Sequence, residues 1–248
     1  MLVSVPFLLL TIFCYCCILK IKNDYEKCLI PYLTFLAMTY LLTGVAVVMN
    51  KQIPPLMASV GLFFVKSYLI WHCILCFEIW SRCTTMLERS SYFLWYFIVG
   101  SIGPLLMIGI DYAVENICKT RCSLRTNLWL APIFFYGLFL IVIIFSATLF
   151  CKTLRYINNS AADLKHRRDE RQMFFVSVRL LQLMCVSWML EIISNLLGRL
   201  ISQDIPLFII PDTLNATQGI IIFYSYVCRR RVSHAVKRLY ERRRSPPH

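Results

Sequence analysis

Leu56 to Trp80 reads LMASVGLFFVKSYLIWHCILCFEIW, an apolar run interrupted by only two formal charges, Lys66 and Glu78. An apolar helix of about 20 residues rises about 30 Å, the thickness of a bilayer's hydrocarbon core. Backbone polar groups cannot stay unpaired in lipid, so a segment of this composition must be helical there. Six further stretches carry the same signature, at 2–19, 28–49, 92–113, 129–150, 173–198 and 207–227. The expectation is an all-α membrane protein, a bundle of seven transmembrane helices over 1–227. A basic amphipathic helix and a disordered tail are expected over 228–248. Composition agrees: 58% of residues are hydrophobic and 16% charged, against about 25% charged in an ordinary soluble domain. The first stretch has no basic n-region and no small-residue cleavage site before Lys20, and therefore reads as a span rather than a signal peptide.

The net charge of +13 would suggest a nucleic-acid partner if it formed a soluble face, but the charges fall between spans. The links after spans 1, 3 and 5 and the tail hold 19 Lys and Arg, against 5 in the links after spans 2, 4 and 6. Basic residues near span ends are retained in the cytosol. The first residue is therefore expected outside and the last inside. Nucleic acid is excluded as a partner.

Most of the 12 cysteines lie within spans, where a thiol behaves as a small buried hydrophobe. Cys73-x-x-Cys76 lacks the second pair that a tetrahedral zinc site needs, so no metal and no cofactor is expected. Only Cys118 and Cys122 fall on the oxidising face, as a candidate disulfide. Cys228, at the membrane boundary before Arg229-Arg230-Arg231, is a candidate for palmitoylation. The glycosylation triplets at Asn158 and Asn215 lie on the cytosolic side and inside span 7, so neither should carry sugar.

The links Lys20–Lys27, Asn50–Pro55 and Ser81–Ser91 suit antiparallel neighbours. Val114–Leu128 reads as a longer polar link. Cys151–Gln172 reads as two helix ends around a polar break, with Arg167 and Arg168 in a solvated charge run. After span 7, Val232, Ala235, Val236, Leu239 and Tyr240 form one apolar stripe with Arg and Lys opposite. Such a helix lies in the interface against membrane lipids.

Polar groups inside spans are costly and mark function by default. Lys66, Glu191 and Asp212 lie at depths that allow one buried polar cluster opening to the outside. Glu78 and Arg179 lie toward the cytosolic ends of spans 3 and 6, where they could latch the two spans together; an arginine there can also simply snorkel. Span 7 carries no lysine for retinal. No nucleophile, base and orienter fall together, so catalysis has no visible constellation and the chain does not read as an enzyme.

Trp71-His72-Cys73-Ile74-Leu75-Cys76-Phe77-Glu78-Ile79-Trp80 in span 3 and Gly103-Pro104 in span 4 are accompanied by three further motifs. These are Arg179-Leu180 with Trp188-Met189-Leu190-Glu191 in span 6, Asn215-Ala216-Thr217-Gln218-Gly219 in span 7, and Cys228-Arg229-Arg230-Arg231 at the exit. In this order they resemble the insect Methuselah-like receptors, a secretin/adhesion-like branch of G-protein-coupled receptors. The resemblance implies a plasma-membrane receptor for an extracellular ligand, of which a peptide is one class. It also implies coupling to a heterotrimeric G protein, assembly with further receptor copies, and roles in lifespan and stress resistance. Within it, Trp188, Asn215, Gln218 and Gly219 would form a switch between spans 6 and 7. Glu78, Arg82, Arg155, Arg167, Arg168 and Arg179 would line the coupling face. Lys66 would pair with Glu191 across facing spans. Three features depart from the family pattern. Span 1 starts at Leu2, whereas family members usually carry a folded ectodomain ahead of it; Met57 stands where the outer cysteine of span 3 is expected, and Cys185 replaces a glycine. Cys118 is then the partner left for Cys122. The rival readings are a seven-span ligand-gated chemosensory channel, whose first residue would lie inside, and a non-signalling receptor remnant.

Overall fold

The computed structural model describes residues 1–18, 24–49, 54–84, 92–121, 124–159 and 209–227, with isolated positions in the sixth expected span. Among these, all regular structure is helical. The helices are α1 (Ser4–Phe13, continued by a π turn, Cys14–Ile18), α2 (Asp24–Val48), α3 (Pro55–Thr84), α4 (Phe93–Arg121), α5 (Leu124–Asn159) and α6 (Ile209–Val227). α6 is the seventh expected span; most of the sixth, and the whole of 228–248, lie outside the described residues. Among the described residues four helices, α2 to α5, are long and apolar enough to cross a membrane. Leu94, Trp95, Ile98, Leu105 and Leu106 lie exposed on α4. Such a band is intolerable in water and ordinary against lipid. The chain is a multi-pass, helical membrane protein.

Helix ends differ from the expected spans in a consistent way. α4 continues to Arg121 and α5 begins at Leu124, so the expected link Val114–Leu128 is largely helix. α3 likewise runs on to Thr84, and α2 starts at Asp24. Hydropathy measures the apolar length of a helix, whereas its backbone stops only at a breaker. Glu115 to Arg121 holds neither Gly nor Pro and is rich in acceptable helix formers. Asp24 and Glu26 occupy the first turn of α2, where carboxylates favour the helix dipole, and Lys27 donates to Asp24 Oδ1 at 2.8 Å. α3 opens on Pro55, whose missing N–H costs nothing at the first helical position.

Register follows from side-chain pairs. Phe7 meets Phe223 and Tyr15 meets Tyr226, so α1 and α6 run parallel. Tyr32 meets His72 and Phe35 meets Phe63, so α2 and α3 are antiparallel. Lipid gives helices no hydrophobic drive to associate, so close approach at small residues decides the packing. A Cβ on Gly100 would stand 2.5 Å from the Trp71 indole, and one on Gly103 would stand 2.8 Å from Ile70 Cδ1. Pro104 lies inside α4, and its ring removes the donor that the Gly100 carbonyl would otherwise receive. Gly103-Pro104 thus lies one turn from Gly100, the seat of Trp71.

Candidate functional site

Most described serine and threonine hydroxyls inside the helices bond to their own backbone. Thr39 donates to Phe35 O, Ser67 to Phe63 O and Thr153 to Leu149 O, each at 2.7–2.8 Å. This is the usual way a hydroxyl survives in an apolar medium. Ser4 and Ser187 instead reach across the bundle, and both reach α6.

Ser4 Oγ lies 2.8 Å from Asn215 O and 2.7 Å from Ala216 O, able to donate to one of them, and accepts from Gly219 N–H at 3.1 Å. A Cβ on Gly219 would meet the Ser4 carbonyl oxygen at 2.5 Å and its Cα at 2.7 Å, so the α1 backbone occupies that space. One turn apart on α6, Asn215 and Gln218 present their amides to the same groove. Tyr40 of α2 donates to Gln218 Oε1 at 2.5 Å; its approach to Asn215 Oδ1 is 3.5 Å, so its single proton serves Gln218. Ser187 donates to Asn215 Oδ1. Ser4, Tyr40, Ser187, Asn215 and Gln218 are all buried. Three helices and one described position of the sixth span therefore meet in a single hydroxyl–amide cluster.

A second site joins α3 to α4. Lys66 is buried and pairs with Asp111 Oδ2, its ammonium also donating to Met107 O at 3.3 Å. Glu191, the expected partner, lies outside the described residues; among those described, Lys66 pairs with Asp111. The reason is register. With Trp71 opposite Gly100 and Ile70 opposite Gly103, the lysine stem starts level with Met107 and reaches Asp111 one turn further along. Asp212 belongs to α6, but its side chain is outside the described set.

At the far end of α3, Glu78 accepts from donors on its own helix and on α4. Arg82 Nε donates to Oε1 at 2.7 Å, and Tyr96 of α4 donates to Oε2 at 2.8 Å. Nearby, the hydroxyls of Tyr25 and Tyr226 share a hydrogen bond of 2.8 Å, joining α2 to α6. Arg155 is exposed on α5; Arg167, Arg168, Arg179, Trp188, Cys122 and Cys228 lie outside the described residues, and Cys118 is placed only as part of the α4 backbone. Among the described residues no three His, Cys, Asp or Glu side chains converge on a metal position.

Removing the Tyr96 hydroxyl should cost about 1.5–3 kcal/mol, the range for a hydrogen bond to a charged group. Tyr96→Phe and Glu78→Gln in a double-mutant cycle, read as melting in detergent, should then be non-additive. Additive losses would break the assignment.

Motif reading does not single out Ser4, Tyr40 or Asp111, whereas Tyr96 closes the aromatic run Phe93-Leu94-Trp95-Tyr96 of span 4, which is similar to the family's aromatic element. Two of them carry a signal even so: Ser4 is the one polar residue in Met1–Leu10, and Asp111 the single formal charge in Phe93–Ala113. Tyr40 carries none, since aromatic residues are ordinary in spans.

Comparison with known proteins leads to the same family as the motifs. No family model matches the chain. It is 28% identical over 93% of its length to the probable G-protein coupled receptor Mth-like 2 of Drosophila melanogaster, covering 50% of that protein. It is 28% identical to the probable G-protein coupled receptor Mth-like 11 of the same fly over 97% of this chain and 51% of the relative. To the fly's G-protein coupled receptor Mth it is 27% identical over 93% of this chain and 50% of the relative. The chain resembles the Methuselah-like receptors over nearly its whole length. It spans about half the length of these curated Methuselah-like relatives.

Proposed function

We propose that this chain is a seven-span G-protein-coupled receptor of the Methuselah-like type, with the start of α1 outside the cell and the end of α6 in the cytosol. It carries an extracellular signal, with a peptide as one ligand class, to a heterotrimeric G protein at the plasma membrane. The observation that carries this reading is the cluster in which Ser4, Tyr40 and Ser187 hold the Asn215–Gln218–Gly219 turn of α6. A signal crosses a bundle only through an element with two arrangements, and an agonist acts by its differential affinity for them. Hydrogen bonds from three directions onto one helical turn form such an element. They can be exchanged for others as the sixth span moves. Lys66 and Asp111, with Glu191 and Asp212, supply the polar floor of an outer ligand pocket. Glu78 and Arg82, with Arg155, Arg167, Arg168 and Arg179, belong to the coupling face. The 19-to-5 bias of basic residues supports the orientation, and disfavours the channel reading. Roles in lifespan and stress resistance rest on the family likeness alone.

Tyr40→Phe tests the proposal. Loss of a hydrogen bond that holds the resting arrangement, about 0.5–1.5 kcal/mol, corresponds to roughly a 2- to 10-fold rise in the active population. Membranes from cells expressing the chain with each class of Gα should show basal nucleotide exchange raised by that factor. Exchange equal to empty membranes, for wild type and variant alike with every Gα class, would overturn it.

A further inference from the structure

The free thiols among the described residues sort by position. Cys14 and Cys28 are buried, Cys73 and Cys76 are partly covered, and Cys16, Cys17 and Cys151 are exposed. The three exposed thiols share one end of the bundle. Cys16 and Cys17 lie in the π turn that finishes α1, just before Lys20 and Lys22, and Cys151 lies near the close of α5, followed directly by Lys152. A π turn takes more residues per revolution than an α turn. Here it places two successive thiols, Cys16 and Cys17, outward while Cys14 and Tyr15 remain buried. In the sequence, basic residues follow each exposed thiol within four positions, and on the proposed orientation those residues face the anionic lipid of the cytosolic leaflet.

We infer that Cys16, Cys17 and Cys151 are sites of reversible S-acylation by long-chain fatty acids at the cytosolic face of the membrane. Juxtamembrane cysteines are the substrates of this chemistry. The cysteine sulfur attacks the thioester carbonyl of a fatty acyl-coenzyme A. A new carbon–sulfur bond forms, the bond to coenzyme A breaks, and the cysteine proton leaves on the coenzyme A thiol. No electron is transferred. An acyl chain on Cys16 or Cys17 would turn back into the bilayer beside α1, each buried methylene adding to its hold on the membrane. Acylation at these three thiols is independent of Cys228 and rests on the proposed orientation alone.

The full-length chain expressed in animal cells should be treated with maleimide to cap free thiols, then with hydroxylamine, then with a polyethylene-glycol maleimide that adds one mass step per released thiol. Wild type should show steps that Cys16→Ser/Cys17→Ser reduces by two and Cys151→Ser by one. An unchanged ladder in the triple variant, or no hydroxylamine dependence in wild type, would overturn the inference. Peptide mass spectrometry of wild type tests the same point without any variant: acyl adducts on these peptides support it, and their absence refutes it. A membrane-impermeant maleimide on intact cells separates acylation from orientation. Labelling of Cys16 or Cys17 from outside would overturn the orientation, whereas protected but unacylated thiols would overturn acylation only.

Discussion

Asp111→Asn should lower the melting temperature of the purified chain in detergent, and Lys66→Met added to it should recover part of the loss. Lys66 is buried to 2% exposure while Asp111 is 36% exposed, so the ends of the pair are unequal. Removing the carboxylate strands an ammonium inside the bundle; removing the ammonium leaves a carboxylate that can still reach polar surroundings. Breaking a buried pair on one side costs about 3–5 kcal/mol, and the open Asp111 end places this case near the bottom of that range. At about 2–4 °C per kcal/mol for a chain of this size, Asp111→Asn should lose about 6–12 °C. Lys66→Met should lose clearly less. Equal single losses that add in the double variant would show that the two charges do not interact. A large loss from Glu191→Gln with a silent Asp111→Asn would restore the pairing expected from the sequence.

Gly219→Val should be of similar size and for a different reason. The added Cβ meets the carbonyl oxygen and Cα of Ser4, which are backbone atoms and cannot rotate away. One helix must move, at about 1–3 kcal/mol for overpacking, and the Ser4 hydrogen bonds, about 0.5–1.5 kcal/mol each, stretch with it. Surface expression and detergent melting should both fall. Ser4→Gly on this background should not rescue, because the opposing backbone remains. Rescue would show that side-chain crowding, not backbone contact, sets the seam. Gly100→Ala should be milder, since it faces the Trp71 ring rather than main chain.

The membrane-crossing character of α2 to α5 is legible in the hydropathy of the chain because lipid imposes one composition on every helix. The closeness of a backbone at Gly219 is legible too, from the residue type beside two amides. What composition does not encode is the rotation and register of one helix against the next. Depth alone therefore matches Lys66 to Glu191 and passes over Asp111 on an adjacent helix. Depth likewise points Glu78 toward Arg179, which lies outside the described residues, and passes over Arg82 one turn away on the same helix and Tyr96 opposite. The helix extensions to Arg121 and Thr84 are hidden from a hydropathy window, because polar helix turns outside lipid look like loop to it.

The seam between Ser4 and Gly219 also has a consequence for synthesis. The two residues are 215 positions apart, and ribosomes add about 5–20 residues per second. After α1 enters the membrane, roughly 10–40 s pass before its partner is made. During that wait the Ser4 hydroxyl has no α6 turn to hold, and among the described helices α1 has α2 beside it, with Leu2 against Gly44. The bundle therefore closes last, when its final helix arrives to meet its first. A ribosome that stalls before Ile209 leaves α1 without its α6 partner and the Ser4 hydroxyl without the turn it holds, a form for membrane quality control to recognise.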